Sequence, residues 1–421
     1  MAARNGRYPG RLPLFERSMR RTLALLLTLS LLLAVPAAEA AESHSKLRRA
    51  AAAAMRDLGS GSGILILDAT ERDVVYERRE RRSRVLASNT KLFTTAAALG
   101  QFSPTGTLGT TVVGVGEKRD TGTFDGNLYL VGGGDPALDR AAIEELARQI
   151  EEEAGINRVA GRVLGDESAW DSRRGGPDSN FGPSPWHAQL SALSYQANSG
   201  LRGRTPPEAA ADALTDALED RGVSVRGSGR ASAVPAQADG VRIAAVQSPE
   251  MARLVRATNK ASSNYFAEML LKALSAADGD KGSTPDGARD AYAFARRLGS
   301  TPRLRDGSGL SRGNRASPQD VVELLDEMRD RSEFSAFFGS LSIAGVDGTL
   351  AESNHRGLRR APARRRCRGK TGTISGVSAL SGYCRSVSGD TIVFSILSNG
   401  VNVNSAKRIE DRIVQAIARY G

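Results

Sequence analysis

The chain has 421 residues, 40% hydrophobic and 25% charged, with 58 Lys and Arg against 47 Asp and Glu. That length holds two or three domains, and that balance excludes a disordered chain. Two Cys and three scattered His (His44, His187, His355) cannot build a CxxC-type zinc site or an iron–sulfur cluster, so no metal or other cofactor is expected.

Arg17, Arg20 and Arg21 precede an apolar run from Thr22 to Val35, followed by Pro36 and then Ala38-Glu39-Ala40. A basic start, an apolar stretch of secretory length and a small-x-small exit read as a signal peptide over residues 1–40, with Met19 an alternative start. The run is short for a membrane span. The expectation is therefore an exported chain, periplasmic or outside the cell, with no span after cleavage. Without residues 1–40 the net charge falls from +11 to +7.

Residues 41–60 are Ala-rich and read as a helix. Residues 63–69 and 74–77 read as two strands joined by a turn, and Ser88 to Leu99 as a helix. From 100 to 244 the chain becomes Gly-rich with short β signals, helices at 139–153 and near 207–221, and a polar loop from Asp171 to Pro185. The helical period returns over 249–274, 284–298 and 317–330. Strands then follow at Lys370-Thr-Gly-Thr-Ile, Ser378 to Cys384 and Thr391 to Leu397, with a closing helix at 405–420. Strands at both ends with helices between them predict an α/β (α+β) chain with one sheet completed by both termini. Residues 41–99 and 245–421 form that discontinuous domain, and 100–244 a smaller inserted α+β domain.

Three short motifs stand in order: Ser88-Asn-Thr-Lys91, Ser262-Ser-Asn264 and Lys370-Thr-Gly372. Alone, Ser88 could be a helix N-cap. Ser88 and Lys91, however, are spaced i, i+3 at a helix start and meet on one face. A serine hydroxyl needs a base to become a nucleophile, and Lys91 is the candidate. Nearby cations (Lys370 or Lys260) together with desolvation would make its amine partly neutral. The alternative is a permanent cation that only orients the serine.

The set resembles the serine penicillin-recognising enzymes, and more narrowly the D-alanyl-D-alanine carboxypeptidase/endopeptidase family, the low-molecular-mass class C penicillin-binding proteins. Further family-like segments are Leu128 to Pro136, Asn259 to Glu268, Asp306-Gly-Ser-Gly-Leu-Ser-Arg312 and Ala344 to Thr349. The resemblance implies a β-lactamase/transpeptidase-like domain with an antiparallel sheet flanked by helices. It implies an acyl-enzyme on Ser88, with Lys91 and Ser262 catalytic. Asn264, Lys370, Thr371 and Thr373 would bind substrate, Thr373 sharing the oxyanion hole with Ser88. Arg312 would hold the carboxylate of a diaminopimelate-like side chain, Ser375 would be another contact, and Asp171 or Asp178 would meet its ammonium. Implied partners are peptidoglycan stem peptides, with β-lactams as inhibitors. Many relatives carry Asp where this chain has Ser263, the variable position of the motif.

Residues 356–370 hold eight Lys or Arg and no acid. The readings are a solvated face or attraction to an anionic polymer. A nucleic-acid arm is disfavoured by export and by the lack of interleaved aromatics. If the last strands form a hairpin turning at Ser375-Gly376, positions summing to 751 face one another, and Cys367 meets Cys384. Export places both thiols in an oxidising compartment, so a Cys367–Cys384 disulfide is expected. Two rival readings share the scaffold: a β-lactamase-like or esterase hydrolase, and an inactive wall-binding protein.

Overall fold

The computed structural model describes residues 44–227, 229–235 and 239–420. The expected signal peptide lies outside the described residues, and none of the described helices is long and apolar enough to cross a membrane.

One sheet has six strands, all antiparallel, in the spatial order Ser342–Ile343, Cys367–Ile374, Val377–Arg385, Thr391–Asn399, Ser62–Asp68 and Asp73–Arg78. The first long strands thus close a sheet whose other half comes from the end of the chain. Period-two alternation divides its side chains between two cores. Leu65, Ala379, Tyr383, Val393 and Leu397 face a large helical core, built on Thr90–Phe102, Met251–Lys260, Asn264–Ala276, Thr284–Arg297 and Pro318–Met328. Ile64, Ile66, Leu380, Phe394 and Ile396 face the other way, onto the helix at 44–57 and the last helix, Val403–Ala418. The result is a helix–sheet–helix sandwich.

Residues 109–247 contribute a second, mixed sheet. Gly109–Lys118 pairs antiparallel with both Thr123–Gly132 and Val241–Gln247, and short parallel strands extend it. This sheet packs against Arg140–Arg148 and Pro206–Asp220 around its own core of Val112, Leu128, Leu130, Ile143, Leu146 and Leu214.

The hairpin turns at Ser375–Gly376 with Lys370 opposite Ser381 and Cys367 opposite Cys384. The two cysteines form a disulfide. The basic tract does not behave as one face. Arg356 is buried against Glu410 and Asp411, Arg368 stacks over Phe338, and Lys370 is buried at the site described next.

Candidate active site

Four elements converge. A short 3-10 turn, Ala87–Asn89, runs directly into the helix Thr90–Phe102, so Ser88 and Lys91 lie on its first turn. The strand Cys367–Ile374 passes against that turn. A Cβ at Gly372 would lie 2.8 Å from Leu86 O and 3.1 Å from Ser88 N, so only glycine lets the strand come this close. The loop 306–312 arrives from the other side, where a Cβ on Gly309 would lie 1.9 Å from Ala87 O. Asn264–Ala276 is the fourth element, and Ser263 caps it by accepting the Phe266 N–H. Capping explains a serine at that variable position.

Lys91 is fully buried, and its Nζ donates to three neutral acceptors: Ser88 Oγ at 3.0 Å, Asn264 Oδ1 at 2.8 Å and Ser308 O at 2.6 Å. Burial pushes its ammonium down to about 7, against a smaller upward pull from Glu268 and Asp306. Lys370, also fully buried, donates to Ser262 Oγ at 2.8 Å and to Thr371 O at 3.0 Å. Burial, then the adjacent Lys91, holds it well below the usual lysine range. Lys260 takes no part, because its ammonium pairs with Asp347. The expected lowering of Lys91 by a neighbouring cation is replaced by burial, and between the two lysines it is Lys370 that Lys91 lowers.

Two flanking residues sit in left-handed backbone, Ala87 at φ +46° and Ser262 at φ +55°. Non-glycine residues pay roughly 1–3 kcal/mol for such conformations and keep them where geometry demands it. At Ser262 the conformation breaks the chain between Met251–Lys260 and Asn264–Ala276 and turns the hydroxyl onto Lys370.

Thr371 Oγ1 donates to Thr349 Oγ1 at 2.8 Å. Thr373 is exposed opposite Ser378, where the strand edge is no longer covered by Ser342–Ile343. With Ile374 and Val377 flanking the turn, ladder alternation points the Thr373 N–H out from that open edge. Arg312 and Ser375, both exposed, are brought together by a hydrogen bond from the guanidinium to the Ser375 carbonyl.

The structure separates the two candidate acids. Asp171 is bound 2.6 Å from Nζ of the fully buried Lys272, so it anchors its loop. Asp178 is exposed and, among the described residues, accepts from Ser184 Oγ alone. The loop carrying it crosses the site: a Cβ on Gly176 would lie 3.7 Å from Asp306 Cβ and 3.9 Å from Glu268 Oε2. Its far end, Trp186, is 69% exposed and accepts from Asn264 Nδ2 through its carbonyl.

Sequence reasoning missed the support behind Lys91. Glu268, buried, accepts the N–H groups of Gly307 and Ser308 and so aims the Ser308 carbonyl at the lysine. Asp306, buried beside it, accepts from Gly309 N, Ser311 N and Asn314 Nδ2, and burial with the nearby Glu268 pushes it up to about 7. The available signal was an acid four residues after Asn264 in a helix whose other charged residue is Lys272. Such spacing puts both on one helix face.

The sequence matches the model of the D-Ala-D-Ala carboxypeptidase 3 (S13) family over residues 46–199 and 189–420. A D-alanyl-D-alanine carboxypeptidase of Actinomadura sp. (strain R39) is 29% identical over 447 residues, covering 86% of this chain and 82% of the relative. Penicillin binding protein 4 (dacB) of Haemophilus influenzae has a similar structure, with a TM-score of 0.75 at 20% identity, covering 87% of this chain and 98% of that one. The same protein complexed with a β-lactam gives a TM-score of 0.68 at 19% identity, with the same coverage of both chains. With the family model spanning nearly all the described residues, the chain belongs to the D-Ala-D-Ala carboxypeptidase 3 (S13) family.

Proposed function

We propose that the protein is a serine-type D-Ala-D-Ala carboxypeptidase and endopeptidase that cleaves peptidoglycan stem peptides through an acyl-enzyme on Ser88 and is acylated by β-lactams. One observation carries this reading: a fully buried Lys91, its ammonium lowered to about 7, stands 3.0 Å from Ser88 Oγ.

The chemistry follows from the contacts. Lys91 Nζ, neutral, takes the Ser88 proton as Oγ adds to the carbonyl of the penultimate D-alanine. The N–H groups of Ser88 and Thr373 receive the oxyanion. As the tetrahedral centre collapses, the amide bond breaks and the leaving amine takes a proton from Ser262 Oγ, which Lys370 faces at 2.8 Å; the proton that Lys91 took from Ser88 replaces it, leaving Lys91 neutral. Asn264 fixes Lys91 through Oδ1 and is placed to bind the substrate amide. Water then adds to the ester as the regenerated neutral Lys91 accepts its proton, and Lys91 returns that proton to Ser88 Oγ as the acyl group leaves. The terminal carboxylate belongs beside Lys370 and Thr371. A buried lysine held below its usual range is one whose charge an incoming carboxylate restores.

Arg312, with Ser375, is the candidate for a carboxylate on the substrate side chain, since its fork can bind one bidentately. Asp178 is the candidate for the ammonium, because Asp171 is already spent on Lys272. Two sheets with separate cores support dividing the chain into 41–99 with 245–421 around an insert of 100–244. The signal-like N-terminus and the disulfide support export.

The test is labelling by a fluorescent penicillin together with turnover of an acyl-D-Ala-D-Ala peptide. Both should be present in the wild type and absent in Ser88→Ala. Labelling of Ser88→Ala at wild-type stoichiometry would move the nucleophile elsewhere. Hydrolysis of nitrocefin faster than of the peptide would favour the lactamase reading.

A further inference from the structure

Two arginines of the basic tract, Arg359 and Arg360, lie along the C-terminal helix, and the placing of their segment is built. The buried Arg356 guanidinium spans Glu410 and Asp411 at 3.0 and 2.6 Å. Asp411 also accepts the Gly357 N–H at 2.7 Å. Gln415 Nε2 donates to the carbonyls of Gly357 and Arg360, both at 3.0 Å, and its Oε1 accepts from Ala363 N. Segment 356–363 is thereby fixed along one side of Val403–Ala418.

Between segment and helix lie two adjoining cavities of about 260 and 460 Å³ that share Gly357, Gln415 and Arg419. Their walls carry Arg359, Arg360, Arg408 and Arg419. Among the described residues, none of these four guanidiniums has a carboxylate within ion-pair distance. The acids nearby are taken: Glu410 and Asp411 turn inward to Arg356, Glu352 faces Arg364, and Asp57 faces Arg412. The apolar lining is alanine alone (Ala50, Ala361, Ala416). A surface that enters lipid needs large apolar side chains, and one that grips single-stranded nucleic acid uses stacking aromatics. This groove has no large apolar side chain, and its lining holds a single ring, His355, too few for a stacking platform. Guanidiniums without carboxylate partners along a polar groove with a fixed backbone fit a chain of phosphates, each of which an Arg fork can take bidentately.

We infer that this groove docks a linear, phosphate-bearing polyanion of the cell envelope. It lies on the sheet face opposite the Ser88 helix, so a docked polymer leaves the catalytic groove open. The inference is independent of the catalytic reading and uses the export reading only for the source of the polymer.

The experiment titrates labelled inorganic polyphosphate onto the whole protein at several salt concentrations. Binding should weaken steeply with salt. The double variant Arg360→Glu/Arg419→Glu should lose at least about tenfold in affinity and flatten the log K against log salt slope by about two charges. Its penicillin labelling should be unchanged, which reports an intact fold. Should labelling fail, Arg408→Gln and Arg419→Gln carry the same readouts singly. In a second arm, retention on purified cell walls should drop when hydrofluoric acid strips their phosphodiester polymers. Equal polyphosphate binding by variant and wild type would overturn the inference. So would tighter binding of a thymidine oligonucleotide of equal charge or of phosphatidylglycerol vesicles, or retention on walls that stripping leaves unchanged.

Discussion

Two buried cations in this chain have been solved in opposite ways. Arg356 touches two carboxylates directly, at 2.6 and 3.0 Å. Burial alone would lower it, but Glu410 and Asp411 more than offset that and raise it further. Lys91 is equally removed from water, yet every atom it touches is a neutral acceptor. Glu268 and Asp306 stand one layer behind, their oxygens occupied by the amides of the 307–311 loop and the side chain of Asn314. Burial then dominates and brings Lys91 to about 7. The difference is one between holding a charge and keeping it ready to leave. A carboxylate in contact makes a strut, while a carboxylate screened by its own hydrogen bonds leaves a base.

Substitution should separate the two roles. Lys91→Met should lower the rate of penicillin acylation by about 10²–10⁴ while leaving stability about equal, because the three acceptors it releases are neutral and the cost of burying the lysine is removed with it. Arg356→Met should do the reverse. It leaves two buried carboxylates unpaired, at a cost of roughly 3–5 kcal/mol in denaturant unfolding, with acylation per folded molecule unchanged. Loss of both properties in either variant would collapse the distinction. The pH dependence sharpens it. Protonated Lys91 cannot accept the serine proton, so acylation should rise with pH through about 7. Between about 7 and the unfolded value near 10.5 the unfolded chain binds the extra proton. Stability of the wild type relative to Lys91→Met should therefore rise with pH across that window, and below it the penalty of burying Lys91 is fully present. A flat difference would mean that Lys91 keeps its proton.

Local pattern and tertiary pairing explain what could be read in advance. The hairpin register followed from period two and one turn, which put Cys367 opposite Cys384 as expected. Ser88 with Lys91, Ser262 with Asn264, and Lys370 were legible because short motifs carry them, and the fold brings them together. The fate of the basic tract was not legible. Arg356 is buried by acids more than fifty positions away, and nothing in an arginine's neighbours in sequence reveals such a partner. Nor could sequence choose between Asp171 and Asp178, because the lysine that occupies Asp171 lies a hundred residues further on.

The disulfide gives a middle-sized test of what braces the catalytic strand. Replacing Cys367 and Cys384 together by Ser removes a crosslink across 17 residues, which should cost about 3 kcal/mol by chain entropy. Seven ladder pairs continue from Arg368 to Ile374, so Lys370 should stay opposite Ser381. Thermal unfolding should shift while penicillin labelling at low temperature persists. Labelling lost in step with the crosslink would show that the strand depends on it for its position.

The smallest effect is expected at the rim, where the cation is neither strut nor base. Arg312 is exposed, and its one described protein contact is the Ser375 carbonyl. That acceptor is neutral, so the charge is left for a ligand, as with Lys91, but here in water. Solvent screens such a contact, and a single charge-assisted hydrogen bond at this exposure is worth about 1–2 kcal/mol. Arg312→Ala should therefore raise KM roughly tenfold for peptides whose side chain ends in a carboxylate. Simple acyl-D-Ala-D-Ala peptides lack that group and should keep their KM, and kcat should hold for both. Equal losses on the two substrates would make Arg312 a support for the Ser375–Gly376 turn rather than a reader of the side chain.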